Sequence, residues 1–192
     1  MADDSPIRCF IALNFPPEVL AAAQELVRQL SCAKGRITWV KPEGVHLTFK
    51  FLGNIPASQL EEVKRKLSAS AVGISPFTLQ FTNLGVFPNQ RQPRIIWWGT
   101  KCDSPGLAQL YQNIEKSLAQ CGFPVETRTF SPHLTLGRIR ELHQPKNLIE
   151  LLSTISIPQL PPIPVRQVDL MQSTLGRDGA VYSRMAGVEL AG

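Results

Sequence analysis

Two of the chain's three histidines open nearly the same phrase, "HLTFKFLG" from His46 and "HLTLGRIR" from His133, 87 residues apart. With 10 Thr and 23 Leu among 192 residues, chance would give both histidines Leu and then Thr with odds on the order of 1 in 10,000, so an internal duplication is the first reading. On a strand, side chains two residues apart share a face and stand roughly 6.5–7 Å apart. Strict alternation puts His46, Thr48 and Lys50 on one face and Leu47, Phe49 and Phe51 on the other. In the second copy His133 and Thr135 oppose Leu134 and Leu136. Two imidazoles and two hydroxyls fit acid–base chemistry on a phosphodiester. An imidazole titrates near pH 6.5, so one can accept a proton while the other donates one, and hydroxyls can hold the non-bridging oxygens. The motifs lack the ligand count of a catalytic zinc site, so neither metal nor cofactor is expected. A single such motif would read as an ordinary strand-edge histidine; the recurrence is what decides. The third histidine, His143 in "ELHQP", shares nothing with the other two.

The elements that must carry these strands can be read around them. "IRCFIALNF" (7–15) predicts a buried strand closed by Pro16-Pro17, and "PEVLAAAQELVRQL" follows with Val19, Leu20, Ala23, Leu26, Val27 and Leu30 at helical spacing. "ITWVKPEGVHLTFKFLG" predicts a short strand, a Pro/Gly turn and a longer strand ending at Gly53. A capping box, Ser58-x-x-Glu61, precedes Leu60, Val63 and Leu67. Two strands, "FTLQFTNLGVF" and "RIIWWGTK", flank the polar loop "PNQRQP". The order then returns. A helix is expected with Ser104 as cap, Pro105 at its first position and Gly122 past its end. After it come the second histidine strand, a short helix in "QPKNLIELLSTI", a Pro-rich loop "PQLPPIP", and a hairpin turning at Asp178-Gly179. Leu-Gly also recurs, at Leu84-Gly85 and Leu175-Gly176, at similar distances after each histidine. The expected fold is α+β: two pseudo-twofold-related lobes, each an antiparallel sheet with helices on its outer face, and the polar faces meeting in a cleft. One bilobal domain spans 1–192, with motif 1 at 46–49 and motif 2 at 133–136.

Composition agrees with a globular chain, 43% hydrophobic and 18% charged. The net charge of +5 suits an anionic partner such as a nucleotide or RNA, without by itself demanding one. Four scattered cysteines, Cys9, Cys32, Cys102 and Cys121, form no C-x-x-C pair and no disulfide framework. The start, "MADDSPIRCFIALNF", carries acidic residues where a leader would be basic, and no run approaches 18 apolar residues. A reducing, cytoplasmic setting without a membrane follows as the expectation. No coiled-coil pattern is present, and a monomer is expected.

The paired H-x-T motifs resemble those of the 2H phosphoesterases, and most closely the RNA 2',3'-cyclic phosphodiesterases, the LigT-like or 2'-5' RNA ligase family. The likeness spans nearly the whole chain, through "IRCFIALNFP", "WVKPEGVHLTFKFLG", "LGVFPNQRQPRIIWWG", "FSPHLTLGR" and "LMQSTLGRDGAVY" in that order. It implies two α+β lobes facing across a cleft, and metal-free hydrolysis of an RNA or nucleotide 2',3'-cyclic phosphate to a 2'-phosphomonoester. By that likeness His133 is the base activating water, His46 the acid protonating the departing 3'-oxygen, and Thr48 and Thr135 hold the phosphate. Gly44 and Gly137 depart from the family's frequent residues, and neither is expected to touch the chemistry.

Arg138 is a candidate further phosphate contact, balanced against a solvated strand-end arginine. Arg91, Arg94, Lys34 and Arg36 read first as solvated, and Trp39, Trp97, Trp98, Phe10 and Phe15 as mostly core, with one aromatic free to stack on a base. Two rivals stand beside hydrolysis. A binding module would be expected to lose a histidine, and both are intact. A 2'-5' ligase would run the same displacement with a 5'-hydroxyl in place of water, which these residues cannot distinguish.

Overall fold

The computed structural model describes residues 5–176 and 179–192. Strand β1 (Ile7–Asn14) stops at Pro16, and Pro17 opens helix α1 (Pro17–Leu30) where a missing N–H leaves no bond unmade. Strand β2 (Gly35–Trp39) leads through a 3₁₀ turn at Pro42–Gly44 into β3 (His46–Ile55). Helix α2 (Leu60–Ala71) and strand β4 (Phe77–Phe87) complete the first half. The second half runs β5 (Ile95–Lys101), α3 (Gly106–Ala119), β6 (His133–Leu142), α4 (Pro145–Thr154), β7 (Ile163–Val165), β8 (Gln167–Gly176) and β9 (Gly179–Glu189).

The strands form one antiparallel sheet ordered β7-β4-β5-β6-β3-β1-β8-β9, with β2 also on β6. Each half keeps two of its own strands together, β1 with β3 and β5 with β6, then sends a later strand to the other half: β4 pairs β5 and β8 pairs β1. One edge of β6 is covered end to end by two strands. Leu134 pairs Leu47 of β3, while Gly137 and Arg138 pair Trp39 and Thr38 of β2, and the Val40 N–H donates to the Leu136 carbonyl at 2.9 Å. The two lobes are thus hydrogen-bonded to each other at this joint.

All four helices bury their apolar stripes in one cluster on one face of the sheet, with Leu26, Leu67, Leu110 and Leu148 packed against strand residues such as Ile11, Leu47, Ile96 and Leu134. Among the described residues, the opposite face holds a small cluster of Phe10, Ala12 and Met171, with Tyr182 against it. Among the described residues no helix is long and apolar enough to cross a membrane.

Local expectations fail at element ends. The chain enters α2 through a 3₁₀ turn over Ala57–Gln59, so the cap position falls to Gln59 rather than Ser58. Pro105 takes the cap position of α3, and the Ser104 hydroxyl instead lies 3.3 Å from the Cys102 sulfur. Ile163 and Pro164, read as loop, belong to the short edge strand β7, where the absent proline N–H is tolerated. The β8–β9 hairpin closes on Gly176 opposite Gly179, and Asp178 of the expected turn lies outside the described residues.

Candidate active site

Strands β3 and β6 meet at a single register pair, Leu47 opposite Leu134, and both leucines are fully buried toward the helices. Alternation turns their neighbours His46, Thr48, His133 and Thr135 to the helix-free face, where all four are half-buried. Because the strands are antiparallel, stepping back from Leu47 to His46 corresponds to stepping forward from Leu134 to Thr135. His46 therefore stands across from Thr135, and Thr48 across from His133. Directly opposite side chains are about 5 Å apart at Cβ and diagonal ones about 7–8 Å. The imidazoles occupy one diagonal and the hydroxyls the other.

Each imidazole is held the same way. The carbonyl of Ser131, two residues upstream, lies 2.6 Å from His133 Nδ1; accepting its proton leaves Nε2 free for the cleft. His46 makes the matching backbone hydrogen bond with Gly44, also two residues upstream. Aromatic rings wall both. Phe10 lies 4.7 Å from the His46 ring and Tyr182 meets it edge-on at 5.1 Å. Phe87 meets His133 edge-on at 5.0 Å, with Trp97 at 6.4 Å. Burial pushes His46 down to about 4 from its ordinary 6.5, against the Gly44 bond and with help from the charges of Arg138 and His133. His133 is also lowered, first by burial and then by Arg138, with the Ser131 bond opposing.

A repeated irregularity decides what surrounds them. Between β1 and β3 the register jumps from Ile11 opposite Lys50 to Ala12 opposite Thr48, leaving Phe49 unmatched. Between β5 and β6 it jumps from Ile96 opposite Gly137 to Trp97 opposite Thr135, leaving Leu136 unmatched. Each bulge falls three residues past its histidine and reverses the alternation beyond it. Lys50 consequently leaves the face expected of it. Its ammonium is buried toward the helices, donating to both Glu115 oxygens at 2.8 and 2.7 Å and to the Pro124 carbonyl at 2.8 Å. Glu115 also accepts the Glu126 N–H at 2.9 Å. Phe49 packs on Phe130, which stacks on Tyr111 at 4.0 Å. The chain leading into His133 is thereby tied to the strand that carries His46. On β6 the same reversal turns Arg138 to the histidine face, and its charge acts on both rings.

Gly44 is not a bystander, because its carbonyl side supports His46 and an added Cβ would sit 3.5 Å from the Tyr182 ring. Gly137 serves packing, since its Cβ would fall 2.7 Å from the Trp39 ring. Arg94 donates to the Arg140 carbonyl at 3.4 Å, and Arg91 and Lys34 are exposed. Trp98 is fully buried against Phe81. The side chains the motifs did not reveal are Tyr182, Phe87 and Asn14; Asn14 lies opposite His46 and donates to buried Asp169 at 2.6 Å. Tyr182 and Phe87 each follow one of the recurring Leu-Gly pairs within a few residues, the one signal that pointed to them. Among the described residues no three His, Cys, Asp or Glu side chains gather into a set that could hold a metal ion.

Two like strands, each delivering a histidine and a threonine to the open face of a sheet backed by helices, are the arrangement of a two-histidine phosphoesterase. The model of the LigT like Phosphoesterase family matches residues 13–97 and 101–182, one histidine motif in each stretch, and the chain belongs to that family. An RNA 2',3'-cyclic phosphodiesterase of Thermotoga maritima is 30% identical over 92% of this chain and 91% of its own length. One from Methanothermobacter thermautotrophicus is 27% identical, covering 93% of this chain and 96% of its own. The crystal structure of TT0787 of Thermus thermophilus, 26% identical, matches with a TM-score of 0.76 over 96% of this chain and 98% of that one.

Proposed function

We propose that this chain, as one bilobal domain over residues 1–192, hydrolyses RNA 2',3'-cyclic phosphate ends to 2'-phosphomonoesters without a metal. The observation that carries this reading is the diagonal of His46 and His133 across a joint whose other diagonal is Thr48 and Thr135. In-line attack needs a base on one side of phosphorus and an acid on the other, and a diagonal pair provides both. One imidazole takes the proton of water as its oxygen bonds to phosphorus. The P–O3' bond breaks on the far side, and the second imidazole protonates that oxygen. The threonine hydroxyls donate to the non-bridging oxygens, and Arg138 adds positive charge beside the phosphate. Family likeness makes His133 the base and His46 the acid. Burial lowers both rings, so each is held ready to act as a base until the phosphate arrives. A cytoplasmic setting accords with four free cysteines.

The test is turnover of adenosine 2',3'-cyclic phosphate in EDTA, giving 2'-AMP. His46→Ala and His133→Ala should each lose about 10²- to 10⁴-fold, and the double variant little more, because the pair acts as a unit. With a nitrophenol leaving group, the variant lacking the acid recovers and the one lacking the base does not, which settles the roles. Near-wild-type turnover in either single variant, or loss of activity on chelation, overturns the reading.

A further inference from the structure

The four central groups are arranged almost symmetrically, but the charge around them is not. Five residues past His133 stands Arg138, and seven past stands Arg140, both exposed. The corresponding positions after His46 are Phe51, 64% exposed, and Gly53. The bulge at Leu136 puts Arg138 on the histidine face, and Arg140 follows it there because Ile139 between them is buried toward the helices. Strand β2 lies alongside, with Thr38 opposite Arg138 and Arg36 opposite Glu141. A second register jump leaves Arg140 unmatched beside Arg36. Gly35, Arg36, Ile37, Thr38 and Arg140 line a groove of about 460 Å³. The first half has no counterpart to this wall: the chain leading into β6, from Gly122 to Pro132, forms no strand along β3.

We propose that this groove holds the single-stranded RNA backbone upstream of the reacting phosphate, with Arg140 and Arg36 on successive phosphates beyond the one that Arg138 adjoins. The inference rests on the cyclic phosphodiesterase reading and adds to it a direction and a substrate class: an oligonucleotide end, entering along β6 and β2 rather than along β3. Residues two apart on β6 are roughly 6.5–7 Å apart, close to one extended nucleotide step. Glu141 is the one acidic side chain in the row. It pairs with Arg36 at 3.3 Å and lies 3.8 Å from His143, but the Arg36 and Glu141 side chains are 78% and 54% exposed, and so exposed a pair yields readily to phosphate. Along β3 the matching positions are Phe51 and Gly53, with Arg8 of β1, opposite Asn54, as a lone exposed cation beside them among the described residues, so a chain laid that way would meet one arginine where the β6 side offers three.

The experiment compares adenosine 2',3'-cyclic phosphate with a six-nucleotide RNA ending in the same group, using wild type and Arg36→Ala/Arg140→Ala. The hexamer should be preferred by about 10-fold or more in kcat/KM at low salt. The double variant should lose at least about 10-fold more on the hexamer than on the mononucleotide. Its slope of log(kcat/KM) against log[salt] should flatten by about 1.4, at roughly 0.7 for each phosphate contact on a single strand. Equal losses on both substrates, or no preference for the hexamer, overturns the groove while leaving the phosphodiesterase reading intact. If wild type turns over neither, that reading fails instead, and the groove is judged by affinity for a hexamer ending in a 2'-phosphate. There a Kd weakened about 10-fold by the double variant sustains it, and an unchanged Kd sinks it.

Discussion

Lys50→Met cuts the buried tie between the two histidine strands at its charged end. The Lys50 and Glu115 side chains are 7% and 8% exposed, and the ammonium spends all three of its protons on Glu115 and Pro124. Removing the lysine leaves a carboxylate in the core that, among the described residues, still accepts the Glu126 N–H. Breaking such a pair from one side costs about 3–5 kcal/mol. For a domain of this size that corresponds to a fall in Tm of roughly 6–20 °C, at 2–4 °C per kcal/mol. Glu115→Leu strands the ammonium and should cost a similar amount. Lys50→Met/Glu115→Leu removes both charges and exposes only two backbone groups to loss, at about 1–3 kcal/mol each. The double variant should therefore be more stable than the sum of the singles by about 2 kcal/mol or more. Urea unfolding of all four proteins closes the cycle. Additivity within about 0.5 kcal/mol, or a loss below about 1 kcal/mol for Lys50→Met alone, would refute the buried tie and leave an ordinary surface pair.

Titration of the histidines gives a second expectation. The folded chain holds His46 neutral down to about pH 4 while the unfolded chain protonates it near 6.5, so the stability it contributes is full above pH 6.5 and is lost as pH falls toward 4. His46→Gln should flatten the urea-midpoint profile across that window, and an unchanged profile would contradict the burial of the ring. Since both rings are lowered in the free protein, kcat/KM for the mononucleotide should peak below pH 6.5; a peak above pH 7.5 would contradict it. Gly85→Ala drives a methyl into the Trp97 ring, which walls His133, and should cut kcat several-fold; wild-type kcat would show that the ring's position is immaterial.

Much of this molecule is legible in its sequence, because the signals involved are local. Pro16-Pro17, Gly53 and the apolar periodicity of 17–30 mark elements close to where they lie, and the doubled His-Leu-Thr marks the joint. What escapes is whatever depends on register. A bulge has no local signature, so alternation carried past Phe49 assigns Lys50 to the wrong face and hides its pairing with Glu115, 65 positions away. The same device on β6 is what brings Arg138 to the histidines. Asp169 reaches the Asn14 side of His46 from a strand 155 positions downstream, and no spacing in the sequence announces a contact at such range.

The exchange of strands between the halves also bears on how the chain assembles and how it arose. Ala12 of β1 finds its outer neighbour in Asp169 of β8, 157 positions downstream. During synthesis the first strand thus waits with one edge open until almost the entire chain has emerged, which slows folding and leaves an edge able to recruit another molecule. A half expressed alone would face the same vacancy, and could fill it only with the matching strand of a second copy. Two identical halves that traded strands would close each other's sheets and set two histidines side by side. Such a reciprocal dimer would carry the same two histidines and two threonines, and joining its two chains end to end yields the present order of the exchanged strands.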